Sequence, residues 1–211
     1  MNRHRVPTLA LTVLGALLVP VAGSSAGDPA KGAELATGCL GCHGIAGYRN
    51  AYPSYRVPKL GGQRPEYLVL AMQAYRAKAR THATMQAQTA SLSDEDMQDI
   101  AAFFASQGEA RTGSAKSGLT ALPRGAAAVR GREKADVCAA CHGEAGASPG
   151  PVWPTLAGQH RDYIEHAMAG YRSKLRKDPV MQAQAMPLSD RDIKDIAAFY
   201  SAQAGLFTVR Q

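Results

Sequence analysis

The sequence is poor in aromatic residues and has no long apolar run. Aromatic side chains make up 6% of its 211 residues, with a single tryptophan. An apolar run from about Thr8 to Ala22 has about 15 residues, fewer than a membrane-spanning helix needs. No stretch alternates apolar and polar residues with a period of two, which excludes a sizeable sheet. The chain is therefore expected to be all-α, and its core needs apolar surface from a source other than aromatic side chains.

Cysteine is also scarce, and all four cysteines lie in two copies of Cys-x-x-Cys-His, CLGCH and CAACH. This is the attachment motif of c-type haem. Two thiols at this spacing match the two vinyl groups on one edge of the porphyrin, and the histidine that follows reaches the iron as its proximal ligand. We therefore expect two covalently attached haem c groups, bound through Cys39, Cys42, Cys138 and Cys141, with His43 and His142 as proximal ligands.

A Cys-x-x-Cys pair has two other roles in proteins, a redox-active disulfide and half of a zinc site. A zinc site would join two pairs about 100 positions apart, a much longer spacer than zinc ribbons use. It would also leave both histidines unexplained. A thioredoxin-like disulfide is expected beside a βαβ pattern, which the sequence does not contain. Covalent haem is therefore the favoured interpretation.

Residues 1–26 have the features of a secretory signal peptide. Arg3, His4 and Arg5 precede the apolar run, and the small residues AGSSA follow it. Cleavage after Ala26 is predicted, and a retained anchor is the less favoured alternative because the run is short. Since haem is attached to such motifs outside the cytoplasm, the bacterial periplasm is the expected location.

The charge balance gives little support for a nucleic-acid partner. The net charge of +7 falls to +5 when Arg3 and Arg5 leave with the signal peptide, since 22 Lys and Arg then face 17 Asp and Glu. Haem propionates would bring the protein close to neutral. No basic stripe interleaved with aromatic residues is present, so nucleic acid is not an expected partner.

Beyond residue 26 the chain repeats one unit. From Gln63 and Gln159 onward, equivalent residues of the two copies are 96 positions apart. The first copy has three extra residues in the loop after its haem motif. The predicted domains are residues 27–107 and 125–211, joined by a linker at 108–124. Each copy, at about 80 residues, is small for a self-sufficient core, and a covalent porphyrin would supply the missing apolar surface.

Each copy is predicted to have one helix leading into the haem motif, one after it, and a last helix that starts at the tripeptide LSD. Ser93 and Ser189 are the expected N-caps of the last helices, with Asp96 and Asp192 completing acidic capping boxes. The other helices are expected at Pro29–Thr37, Pro65–Arg80, Ala126–Val137 and Arg161–Lys177.

The sixth ligand of each iron decides between electron transfer and catalysis, because an open site admits substrate. A ligand that both haems need should recur in both copies. Two methionine pairs do so, Met72 with Met168 and Met85 with Met181. The first pair lies mid-helix, where packing is the favoured role. The second pair is expected in a loop after that helix and is the favoured ligand pair; the other candidates, interpreted as structural or surface residues, are His82, His160 and His166.

These motifs together resemble the dihaem cytochrome c4 family over essentially all of residues 27–211. The resemblance is carried by CLGCH and CAACH, by VPKLGGQ and WPTLAGQ, by a methionine seven residues before LSD, and by LSDEDMQDIAAFFASQ with LSDRDIKDIAAFYSAQ. It implies two class I cytochrome c domains related by a pseudo-twofold axis, with the haem propionates near the domain interface. It also implies that the carbonyls of Pro58 and Pro154 accept the Nδ1–H of the proximal histidines.

The resemblance implies a function as well. Such proteins carry single electrons in the periplasm, from a quinol-oxidising complex of the cytochrome bc1 type to a terminal oxidase. Some members associate peripherally with the membrane. We expect a monomeric electron-transfer protein and no catalytic residues. Two alternatives are a dihaem cytochrome subunit of a flavoprotein dehydrogenase, such as a sulfide dehydrogenase, and a dihaem peroxidase, which two symmetric methionines argue against.

Overall fold

The computed structural model describes residues 27–109 and 125–210. The expected signal peptide and almost all of the expected linker lie outside these residues. Both described parts are helical, and they contain no strand, only isolated bridges. The expected all-α class is confirmed. The helices of the first part are α1 (Pro29–Leu35), α2 (Thr37–His43), α3 (Pro65–Arg76), α4 (Ala83–Ala90) and α5 (Asp94–Glu109); those of the second are α6 (Ala126–Lys134), α7 (Asp136–His142), α8 (Arg161–Arg172), α9 (Pro179–Ala185) and α10 (Asp190–Ser201).

The two helices expected to lead into the haem motifs end earlier than predicted, at Leu35 and Lys134. A new helix then starts and contains the haem motif itself. The residues at the break, Ala36 and Ala135, are buried in the two cores. Each of these alanines is the C-cap of one helix and the N-cap of the next, so the haem motif lies in a separate short helix.

The first and last helices of each part cross at a glycine. A methyl group on Gly32 would overlap the carbonyl oxygen of Asp99, and one on Gly131 would overlap that of Asp195. These glycines therefore allow α1 to touch the backbone of α5 and α6 to touch that of α10. Their recurrence at the same distance before each haem motif is explained by this close approach.

The expected apolar face of the last helix faces the core in both parts. Ile100 and Phe104 are buried in one cluster, and Ile196 and Tyr200 are buried in the other. The predicted capping boxes are confirmed. Ser189 Oγ accepts the N–H of Asp192, whose carboxylate accepts the N–H of Ser189, and the same two bonds join the equivalent residues at the start of α5.

The residues after α10 form a C-terminal segment (residues 202–210) that contacts both parts. The N–H of Leu206 donates to the carbonyl of Ala157 at 2.8 Å. The next residue, Phe207, exchanges two backbone hydrogen bonds with Gly61, the repeat equivalent of Ala157, at 3.1 and 3.2 Å. Val209 is buried in the core cluster that also contains Ala36, Leu68 of α3 and Phe104 of α5. The end of the chain therefore completes the core of the first domain.

Candidate haem sites

The haem motifs face one cavity of about 710 Å³, which both domains line. Its walls include all four cysteines, both motif histidines, the two recurring methionine pairs and several tyrosines. This size lies in the range of natural cofactor cavities, whose walls are typically apolar with a few placed polar groups.

The local helix explains how each motif presents its ligands. Within α2, Cys39 and Cys42 are three positions apart and His43 is four positions from Cys39, so all three share one face. The repeat equivalents in α7 share a face in the same way. The four cysteines form no disulfide with one another, and no group of three or more His, Cys, Asp or Glu side chains in the described ranges is placed to hold a metal ion.

The histidines of both haem motifs contact backbone carbonyls, and these are the contacts that the resemblance implies. His43 Nδ1 lies 2.8 Å from the carbonyl oxygen of Pro58, and His142 Nδ1 lies 2.9 Å from that of Pro154. A carbonyl only accepts, so each Nδ1 carries the proton and Nε2 keeps the lone pair that a metal ligand needs. Burial lowers the pKa of both histidines. The neutral form, which binds iron, is therefore favoured.

Met85 and Met181 do not lie in a loop, so that part of the prediction is wrong. Each lies in the first turn of a short helix, α4 or α9, and both side chains line the cavity. The helices form because a side chain caps each one: His82 Nδ1 accepts the N–H of Met85 at 3.2 Å, and Asp178 Oδ1 accepts that of Met181 at 2.9 Å. These caps hold each methionine by its own backbone.

This geometry also gives His82 a role. From the sequence, His82 is a candidate ligand that competes with Met85. In the structure it is the N-cap of α4, just as its counterpart Asp178 is the N-cap of α9. Met72 and Met168 line the cavity too, but they pack against the two core clusters. The structure thus gives the two methionine pairs different surroundings. The ligand assignment itself stays a prediction.

Two arginines in the wall of the cavity indicate that it binds anionic groups. Arg80 and Arg176 are repeat equivalents that line the cavity and form an antiparallel bridge across the domain interface. Arg176 is 8% exposed, and its Nε has no hydrogen-bond partner among the described residues. Tyrosine rings surround both guanidinium groups, as in the contacts of Arg80 with Tyr67 and of Arg176 with Tyr171. A buried, incompletely paired cation needs an anion, and the propionates of two haems fit this requirement.

Two histidines outside the motifs, His160 and His166, do not line the haem cavity. The ring of His166 stacks on Tyr55 of the other domain, with centroids 3.9 Å apart. Burial and the nearby cations Lys59 and Arg56 lower the pKa of His160 to about 4. The structural role of both histidines stays a prediction.

Sequence reasoning missed a group of polar residues at the domain interface. Gln63 and Gln159 end the recurring VPKLGGQ and WPTLAGQ segments, and each bonds to the backbone of the other domain. Arg80 and Arg176 were missed as well. Their only signal was recurrence at a spacing of 96 positions, which does not distinguish a buried polar residue from a surface one.

The model of the cytochrome c family matches residues 29–108 and 128–201. Cytochrome c4 from Pseudomonas aeruginosa is 35% identical over 83% of this chain and 88% of its own. The thiosulfate dehydrogenase electron acceptor from Thiomonas intermedia is 29% identical over 92% of this chain and 90% of its own. The crystal structure of reduced cytochrome c4 from Pseudomonas stutzeri superposes with a TM-score of 0.66 at 28% identity, covering 85% of this chain and all of that one.

Within residues 27–109 and 125–210, no helix is both long and apolar enough to cross a membrane.

Proposed function

Because this chain belongs to the cytochrome c4 family of dihaem electron-transfer proteins, we propose that it carries single electrons between respiratory-chain partners in the periplasm. The expected family, its two tandem cytochrome c domains and two covalent haem c groups are confirmed. The partners proposed are a cytochrome bc1-type donor and a terminal oxidase acceptor. The protein acts as a monomer, exported by a signal peptide cleaved near Ala26.

The proposed axial ligands are His43 with Met85 and His142 with Met181. What carries this assignment is the equivalent placement of both pairs: each histidine bonds a proline carbonyl through Nδ1, and each methionine stands in a capped first turn on the same cavity. When bound, each haem c supplies a reversible one-electron iron couple. A thioether favours ferrous iron and raises the potential.

The residues around the haem keep the coordination unchanged on electron transfer. The proline carbonyls hold the imidazoles, and the capped helices hold the methionine backbones. Ligands held in this way need little movement when the charge on iron changes. Two occupied axial positions also leave no open site for substrate, which suits a carrier.

The test is an absorption spectrum of the purified holoprotein, oxidised and reduced, with and without carbon monoxide. We expect a far-red methionine-to-ferric band accounting for both haems and no carbon monoxide binding. Met85→Ala and Met181→Ala should each open one haem to carbon monoxide and lower its potential. The matched control is Met72→Leu, which should leave the band intact. Unchanged spectra and potentials in both alanine variants would show that the ligand assignment is wrong.

A second candidate function is electron acceptor of a dehydrogenase acting on a sulfur compound. The likeness to the Thiomonas protein, over nine-tenths of both chains, favours it. It is the same class of role as the flavoprotein subunit considered from the sequence. Stopped-flow reduction by a purified bc1-type complex and by a thiosulfate dehydrogenase would separate the two functions. A rate at least tenfold higher with the dehydrogenase would favour the second.

A further inference from the structure

Two glutamines cross the domain interface in a symmetric arrangement. Gln63 and Gln159 are repeat equivalents, and each is 5% exposed. Gln63 Oε1 accepts the N–H of Thr155 at 2.8 Å, and its Nε2 donates to the carbonyl of Thr155 at 3.0 Å. Gln159 bonds both backbone groups of Lys59 in the same way, each at 3.0 Å. Each glutamine amide therefore bonds both the N–H and the carbonyl of one residue in the other domain, as a neighbouring β-strand would.

The orientation of both amides is determined by their surroundings. Gln63 Oε1 also accepts the N–H of Arg64, and Gln159 Oε1 accepts that of His160, both at 2.9 Å. An NH₂ group turned toward two N–H donors would be unsatisfied, so the oxygen must face them. Each glutamine oxygen is thus a fixed acceptor for a peptide N–H of the other domain.

The peptide group that each glutamine binds is the one that orients a proximal histidine. The N–H of Thr155 and the carbonyl of Pro154 belong to one peptide group, and that carbonyl accepts the Nδ1–H of His142. A continuous chain of two hydrogen bonds therefore runs from Gln63 in the first domain to His142 in the second. The equivalent chain runs from Gln159 through the peptide group of Pro58 and Lys59 to His43.

We propose that Gln63 and Gln159 are positioning residues that tune the potential of the haem in the opposite domain. This rests on the proposed assignment of His43 and His142 as iron ligands. A peptide that donates through its N–H becomes polarised, and its carbonyl becomes a stronger acceptor. A stronger acceptor at Nδ1 makes the imidazole a better electron donor to iron. Each glutamine thereby stabilises ferric iron across the interface.

The sign of the effect is defined. Removing the acceptor from Thr155 leaves the Pro154 carbonyl less polarised and its bond to His142 weaker. Ferric iron in the second domain is then less stabilised, so its potential rises. Removing Gln159 raises the potential in the first domain for the same reason. The effect of each substitution is therefore expected on the haem of the other domain.

The test uses the holoprotein and the matched pair Gln63→Met and Gln159→Met, which keep side-chain length and remove the amide. The potential of each haem is followed by an NMR-monitored redox titration, with the methyl signal of each axial methionine reporting its own haem. We expect Gln63→Met to raise the potential of the His142 haem and Gln159→Met to raise that of the His43 haem. In each variant, the haem of the substituted domain should show a smaller shift. Gln63→Glu and Gln159→Glu keep an acceptor oxygen and strengthen it by charge, so the larger shift at the opposite haem should be downward.

The control is His166→Leu, which loosens the interface without touching either chain of hydrogen bonds. We expect this substitution to cause no larger shift at the haem of one domain than at the haem of the other. Shifts confined to the haem of the substituted domain, equal shifts at both haems, or no shift would overturn the proposal. The spectrum of the wild-type protein separates failure of this proposal from failure of the proposed ligands. If the far-red band for both haems is absent, the ligand assignment is wrong. If the band is present and the potentials do not shift as expected, only the proposed role of the glutamines is wrong.

Discussion

The two domains share the ligand geometry but differ in how their cores are completed. In the second domain, the N–H of Leu206, which follows α10, donates to the carbonyl of Ala157. In the first domain, the equivalent position is Gly61, which bonds Phe207, and Val209 is buried in the core with Ala36 and Leu68. A methyl group on Gly61 would press on the ring of Phe207. The surroundings of the two haem motifs therefore follow the sequence repeat. The C-terminal segment does not, and it makes the core of the first domain depend on residues that follow the second.

The loops after the haem motifs differ as well. The longer loop of the first domain reaches the second, where Arg49 and Arg56 both bond Asp162 and Tyr55 stacks on His166. The three extra residues lie in this loop. The insertion that breaks the repeat is therefore part of a loop that joins the two halves.

Removing residues 207–211 should have the largest effect, and the effect should fall on one domain. The first domain would lose the buried Val209 and the ring of Phe207, which together stabilise it by about 3–5 kcal/mol. Hydrogen exchange read by mass spectrometry, peptide by peptide, measures the two domains separately. Equal loss of protection in both domains would contradict this division.

Gly32→Ala and Gly131→Ala should have smaller and matched effects. Each methyl group would overlap a backbone carbonyl and force two helices apart, which we expect to cost roughly 2–4 kcal/mol in the free energy of unfolding of its own domain. The same hydrogen-exchange measurement applies. Gly41→Ala is the control, since a methyl group there meets nothing within 4 Å. A strong effect at only one of the two crossing glycines would show that the crossings are not equivalent.

Acid should destabilise the interface through the second domain. The pKa of His160 is lowered to about 4 by burial and nearby cations, against an ordinary value of 6.5. The unfolded state therefore binds more protons between pH 6.5 and pH 4, so the free energy of unfolding falls as the pH is lowered through this window. The equivalent position in the first domain is Arg64. His160→Gln should flatten part of the dependence of Tm on pH; an unchanged slope would mean that other groups cause it.

The smallest effect is expected for Asp162→Asn. The substitution removes both ion pairs to the longer loop, and these pairs are partly exposed, so the loss should be about 1 kcal/mol or less and should shrink in high salt. The repeat equivalent, Glu66→Gln, is exposed and serves as the control. The measurement is urea unfolding of both variants at low and high ionic strength. A loss that does not depend on salt would point to the backbone bond from Arg56 to Asp162 instead.

Much of this arrangement was predictable because it is local. Ser93 and Ser189 identify the last helices by a capping pattern within four residues, and the haem motifs identify their cofactor. The helices around Met85 and Met181 were missed because they are short and one of them is capped by a histidine, an unusual cap. The role of Gln63 could not be predicted, since its partner Thr155 is 92 positions away. No local pattern indicates that Val209 joins the core of the first domain.

The C-terminal segment also orders events during biosynthesis. Residues 207–209 leave the ribosome after all the other residues of the first domain. The first domain is thus made first and completed last. Until the end of the chain arrives, its core around Ala36 and Leu68 lacks a wall, so the haem attached at Cys39 and Cys42 would be received by a domain that is still open.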